Sequence, residues 1–352
     1  MAYSTISKPS LHFNTKLYTG NGGTQSITGV GFQPDWVWLK KRNSTADHGL
    51  YDAVRGVTKQ LYSNDAAAEA TNANSLTAFG TDGFSIGTSS MINGNSDTFA
   101  SWNWKAGGSS TSTNSDGDIN GTQSVNQTAG FSITTYTGNG GSNQSLGHGL
   151  GATPKVYICK RRDNSGQWVF NTTAIDGSLD YLFLETTSAK SNSSRTAPTS
   201  SVVYLENGGD ANESGGTHVM YAFAEKKGYS KFGSYTGNSN ADGTFVYLGF
   251  KPAFLLLKKY TASGQQWYIY DSKRDGKNQG DGASGGNRSL RPNTTSAEEQ
   301  ASGYPMDILS NGFKWRGSST EQNSSGQSYI YMAFAEEPLV ANVGASIPAT
   351  AR

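Results

Sequence analysis

Three short apolar runs stand out in a polar chain: "DWVWLKK" (35–41), "KVYICKR" (155–161) and "AFLLLKK" (253–259). Each is rich in aromatic and branched residues, begins just after a proline (Pro34, Pro154, Pro252) and ends in basic residues. That pattern predicts a strand. The apolar positions are nearly continuous, so burial on both faces is expected, as in the middle of a sandwich. "QWVFNT" (167–172) and "QWYIYDS" (266–272) alternate instead, as half-exposed strands do. "THVMYAFAEK" (217–226) and "SYIYMAFAEE" (328–337) alternate as well, and offer Tyr221, Phe223, Tyr331 and Phe334 to a core. Helical periodicity is nearly absent. "NDAAAEATNA" (64–73) suits one or two turns, and "TTSAEEQAS" (294–302) has an N-cap in Thr295 or Ser296.

The runs belong to a longer repeat. "YTGNGG" at 18–23 returns at 136–141, and "YTGN" returns at 235–238, each ahead of one of the three prolines. "YDAVRG" around Asp52 and Arg55 resembles "YDSKRDG" around Asp271 and Arg274, and "DGFSIG" (82–87) resembles "NGFKW" (311–315). A period near a hundred residues is domain-sized. The expected fold is therefore all-β: three tandem repeated antiparallel β-sandwich-like modules with a short N-terminal arm. The boundaries are an attachment arm at 1–17, module one at 18–106, a linker at 107–130, module two at 131–227 and module three at 228–352 with its C-terminal tail. The linker is rich in Gly, Ser, Thr and Asn and is expected to be flexible or to hug the surface. "FAEKKGYSKFGSYTGN" (223–238) joins modules two and three tightly. In "YTGN" the tyrosine reads as an anchor, and Gly and Asn as residues that accept a positive φ.

Composition narrows the function. The chain has 352 residues, 44 of them Gly, and a net charge of +1, so electrostatics gives no case for nucleic acid or an anionic membrane. No run approaches a membrane span, and the start has no basic or apolar signal segment. The lone Cys159, in an apolar run, reads as a buried structural residue. The four histidines (His12, His48, His148, His218) show no metal spacing, and no Gly-x-Ser-x-Gly elbow occurs. "DGDING" supplies Asp116, Asp118, Asn120 and Gly121 as half a calcium loop, but Gln127 replaces the closing acid, so a hydrophilic turn is preferred. A glycan hydrolase would need two carboxylates across a cleft. Asp52, Asp271, Glu225 and Glu336 are the candidates, and a shared fold explains their repetition more simply. The basic clusters 40–42, 160–162 and 258–259 read as solvated strand ends. Trp168, Trp267 and Trp315 are candidates for stacking on sugars, whereas Trp36, Trp38, Trp102 and Trp104 suit a core or a module interface. No catalytic, cofactor or metal residue is assigned. The stretches that differ most between copies, 174–212 and 273–304, are the places to look for binding, above all the long loop 275–293.

The opening "MAYSTISKPSLHFNTKLYTGNGGTQSITGVGFQPDWVWLKKR", "DHGLYDAVRGVTKQLYSNDAAAE", "FAEKKGYSKFGSYTGN" and "YIYMAFAEEPLV" resemble a family of marine tailed-bacteriophage virion structural proteins, described as tail-fibre-like, over essentially the whole chain. The resemblance implies a non-enzymatic virion protein, made in the host cytoplasm and carried on the tail or capsid exterior. It implies a tail fibre or surface appendage that contacts a host glycan or protein, and a homo-oligomer with a trimer favoured; the arm 1–17, too short to fold alone, is expected to contact other virion proteins. A capsid decoration or head-fibre protein is the alternative, and a glycan hydrolase ranks below both. The resemblance carries no site residues.

Overall fold

The structure, a computed structural model, describes residues 4–275, 278, 287–300 and 305–339. There the regular structure is almost wholly antiparallel strand, and one strand order occurs three times. An opening strand (Phe13–Thr19, Phe131–Thr137, Ser230–Thr236) pairs with a closing strand (Thr98–Trp104, Thr217–Phe223, Ser328–Pro338). The closing strand pairs in turn with the proline-marked core strand (Trp36–Lys41, Val156–Arg161, Phe250–Lys259). A fourth strand (Gly49–Asp52, Val169–Thr172, Trp267–Asp271) continues the sheet. A smaller sheet lies against each large one: Gln25–Thr28, Gly83–Ile86 and Leu76–Gly80; Gln144–Gly147 and Val202–Leu205; Phe245–Tyr247, Gly312–Trp315 and Met306–Leu309.

Side chains on a strand alternate between faces, and both faces of the core strands are covered. Val37 and Leu39 join Ile27, Phe84 and Ile86 inside the first sandwich, and Tyr157 and Cys159 do the same with Leu146 and Val203 in the second. Trp36, Trp38, Val156 and Ile158 face the other way, into a cluster drawn from all three modules that also holds Tyr221, Phe223, Phe254 and Phe334. Each large sheet is thus a middle layer between its own small sheet and the neighbouring modules. The same cover corrects the half-exposed reading of "QWVFNT" and "QWYIYDS": Val169–Thr172 and Trp267–Asp271 are buried throughout.

Aromatic rings fill the shared core. Trp104, Phe223 and Phe334 hold equivalent register positions, opposite Trp36, Val156 and Phe254. Trp36 stacks on Tyr221 at 4.6 Å, a contact between modules one and two. Trp104 lies 5.3 Å from Phe254 and 5.6 Å from Phe334 of module three, and Phe223 lies 5.9 Å from Phe334. Ring pairs at these separations add to the stability given by burial alone.

Residues 107–130 are not a free linker. Ser112–Asn114 and Gly121–Asn126 form a hairpin that extends the large sheet of module two, with Gly121 opposite Tyr136 and Asn126 opposite Phe131. A strand at a sheet edge is held by backbone hydrogen bonds, so a segment poor in apolar residues can still be fixed there. Residues 4–12 are not a free arm either. Ser4 Oγ donates to Lys227 O at 3.2 Å, Ile6 is buried in the shared cluster, and the 3-10 turn Pro9–Leu11 lies against the closing strand of module three. Tyr3 and the tail beyond Leu339 lie outside the described residues. The two segments expected to be helical carry short strands instead, Ala70–Thr71 and Glu299–Gln300, while residues 301–302 lie outside the description. Their backbone groups bond to neighbouring modules, which replaces the ladder a helix would supply.

Candidate functional site

The repeated polar residues meet at the joints between modules. Lys40 Nζ donates to Thr295 O of module three at 3.0 Å. Lys160 Nζ donates to Ala66 O and Ala67 O of module one at 3.0 and 2.8 Å. Lys258 Nζ reaches Thr186 O of module two at 3.5 Å. The ties close a cycle: one onto three, two onto one, three onto two. All three lysines are buried, which corrects their reading as solvated strand ends. Burial lowers Lys40 and Lys160 to about 8 and Lys258 to about 7.

A second cycle runs beside the first. His48 Nε2 bonds with Arg291 O at 3.1 Å, Trp168 Nε1 donates to Tyr62 O at 2.8 Å, and Trp267 Nε1 donates to Phe183 O at 3.0 Å. All seven tryptophans are buried, so Trp168, Trp267 and Trp315 have no face for a sugar. A third set engages the repeated aspartates. Asp52 is paired with Arg55 and accepts from Tyr221 Oη of module two at 2.7 Å. Asp271 is paired with Arg274 at 2.5 Å and accepts from Trp102 Nε1 of module one at 3.0 Å. Module two has Thr172 and Ile175 at these positions. Thr172 keeps the turn, accepting from Ala174 N at 3.0 Å, without the charges. Asp52 and Asp271 are thus bound inside module joints.

Glu69 and Glu298 are hubs that no motif announced. Glu69 accepts from Arg55 of its own module and from Arg162 of module two. Glu298 accepts from Arg274 and Arg288 of its own module and from Arg42 of module one. Burial alone would raise the Glu298 pKa, but these arginines hold it at about 2, against 4.5 for a free side chain. A folded pKa below the unfolded one gives stability that is fully present above about pH 4.5 and is lost as pH falls towards 2. Glu298→Gln is therefore expected to cost about 2–3 kcal/mol at pH 7. The gap to wild type should close between pH 4.5 and 2 in denaturant titrations, and a pH-independent gap would contradict the assignment.

The "YTGN" turn has a clasp that sequence reading missed. Tyr18, Tyr136 and Tyr235 donate from their hydroxyls to Ile92 O, Ala211 O and Gln322 O. Asn21 N, Asn139 N and Asn238 N donate to the side-chain oxygens of Asn93, Asn212 and Asn323. The amides of these buried asparagines return bonds to Asn21, Asn139 and Asn238. Each asparagine stands five residues before its closing strand, a spacing that was visible in the sequence. The first glycine of each turn is there for close approach, not for a positive φ: a Cβ on Gly20 would meet Gly94 O at 2.2 Å, and one on Gly138 would meet Glu213 O at 2.2 Å.

The remaining candidates also have structural contacts. His148 and His218 bond to Thr199 O and Gly216 O, and His12 to Asn126. Asp118 ties the 112–126 hairpin to Ser145, and Asp116 accepts from Asn114. Among the described residues no group of three His, Cys, Asp or Glu could hold a metal, and no helix is long and apolar enough to cross a membrane. Burial raises the Cys159 thiol to about 12, as suits a packed, unreactive cysteine. Glu336 pairs with Lys251 at 3.5 Å.

The outward differences lie elsewhere. On the edge strand Phe245–Tyr247, Phe245 and Tyr247 are 43% and 48% exposed. The equivalent positions hold Ser26 and Thr28 in module one, and Ser145 and Gly147 in module two. Beside Tyr247 runs a trough of about 540 Å³, lined by Glu225, Lys227, Ser230, Lys231 and Leu248. Burial raises the Glu225 pKa. Most of the loop 275–293 lies outside the described residues. A family model described as a domain of unknown function (DUF7483) matches residues 8–338. No curated protein and no solved structure matches the chain.

Proposed function

The chain belongs to the DUF7483 family, and from its own geometry we propose a non-enzymatic structural protein of a bacteriophage virion, carried on a tail fibre or surface appendage that contacts the host. One observation carries this reading. The repeated residues Lys40, Lys160 and Lys258 are occupied in joining the modules into one body, while among the described residues the exposed aromatic side chains belong to module three. A joined body presents that face in a fixed orientation, and exposed apolar groups of this kind mark interaction surfaces.

The test is adsorption of virions carrying Phe245→Ser with Tyr247→Thr, the residues of module one. Adsorption should fall while folding and particle incorporation stay at wild-type levels. Unchanged adsorption, or absence of the protein from purified particles, would reject the proposal. The cycle of modules favours one alternative, a capsid decoration or head-fibre protein, because three similar faces suit a local threefold axis. Immunogold labelling of intact virions separates tail from capsid.

A further inference from the structure

Module two carries a cavity of about 310 Å³ inside the stretch that differs most from its sister modules. Its lining includes Asn143 of the opening turn, Tyr181 and Asn192 at the sheet edge, Arg195, and Glu206 and Asn207 beyond the strand Val202–Leu205. Nothing in the ties between modules uses this cavity. Its size is at the lower end of small-molecule sites, about 300–1,000 Å³.

Arg195 is held rigidly. Its Nε donates to Ser193 Oγ at 2.9 Å, Nη1 to Tyr157 Oη and Tyr204 O at 3.3 and 3.0 Å, and Nη2 to Asn171 Oδ1 at 2.6 Å. Its guanidinium lies 6.0 Å from the centre of the Tyr181 ring. A guanidinium has five N–H donors, so one on Nη2 has no acceptor among the described residues. Glu206 faces it too far away for an ion pair, and accepts no hydrogen bond from the described residues. Burial raises the Glu206 pKa, and the charge of Arg195 offsets this only in part. The gap between this fixed donor and a carboxylate that no described residue engages is the place for a group that both accepts and donates, and a hydroxyl does both.

We infer that this cavity binds one residue of a neutral carbohydrate, with a sugar hydroxyl bridging Arg195 and Glu206. The amides of Asn192 and Asn207 lie around it as further donors and acceptors, while that of Asn143 is bonded to Thr196. The charges in the lining oppose each other, which selects a neutral ligand. An anionic sugar would meet the Glu206 carboxylate, and a cationic one the Arg195 guanidinium. A hard cation would find one carboxylate where it needs six or more oxygens. As the ligand class for host contact the assignment rests on the function proposed above, whereas the binding chemistry does not.

The experiment is saturation-transfer NMR on the full chain. D-Galactose, D-glucose and N-acetyl-D-glucosamine are the neutral probes, with D-glucuronate and D-glucosamine as charged counterparts. At least one neutral probe should receive saturation, and more than either charged one. Glu206→Ala should weaken that binding about tenfold or more and leave the melting temperature unchanged, because Glu206 makes no bond within the described fold. Silence from all three neutral probes, preference for a charged probe, or equal binding by Glu206→Ala would overturn the inference. Adsorption lost in the Phe245/Tyr247 variant without sugar binding rejects the cavity alone. Sugar binding by a protein absent from virions rejects the virion reading alone.

Discussion

Replacing Trp104 with alanine is expected to destabilise the whole chain by about 3–5 kcal/mol, in a single transition reported from all three modules. The side chain is buried in the shared cluster and touches rings of its own module and of module three. A cavity at that position removes contacts on several sides at once. Trp104→Phe is the control. Phenylalanine stands at the equivalent positions 223 and 334, and Trp104 Nε1 has no hydrogen-bond partner to lose. It should cost about 1 kcal/mol. Amide exchange followed by peptide mapping reads the modules separately. If Trp104→Ala opens module one while modules two and three keep full protection, the shared core is not a cooperative unit.

The second large effect is expected at Asp271. Removing it as Asp271→Ala takes from the buried Arg274 one of its two carboxylate partners, leaving Glu298, and takes the acceptor from Trp102 Nε1. Breaking a buried pair from one side typically costs about 3–5 kcal/mol. Module two shows how to remove both partners, since Thr172 and Ile175 stand where module three has Asp271 and Arg274, and Ile175 packs against the shared core. The double variant Asp271→Thr with Arg274→Ile should therefore recover about 2 kcal/mol relative to Asp271→Thr alone. Denaturant titration of the three variants gives the coupling directly, and additive costs would show that the pair does not act as a unit.

These joints also explain why the charged candidates were misread. Lys40, Lys160 and Lys258 look alike in sequence to lysines that keep a strand end in water. Each ends instead on a carbonyl of another module, in the case of Lys40 at a residue 255 positions away. A buried ammonium needs several such acceptors: one is local, Ala46 O for Lys40, Arg161 O for Lys160 and Gln265 O for Lys258, and nothing in the nearby sequence announces the others. Glu298 is the same case, an acidic residue in a stretch with helix-forming composition whose partners Arg42 and Arg274 arrive from two modules.

The core strands and the repeat that carries them are legible in the sequence. Proline-bounded runs such as "DWVWLKK" have too many apolar positions in a row to face water on either side, and the thrice-written "YTGN" with its downstream landmarks marks three related units. Alternation along a strand says that Trp36 and Val37 point opposite ways. It does not say what covers each side, because a sandwich partner and a neighbouring module demand the same apolar surface. Only the tertiary structure decided that Val37 belongs to its own module and Trp36 to a core shared by three. It also decided that residues 107–130 add strands to a sheet, since backbone hydrogen bonds, which carry no side-chain signature, hold them there.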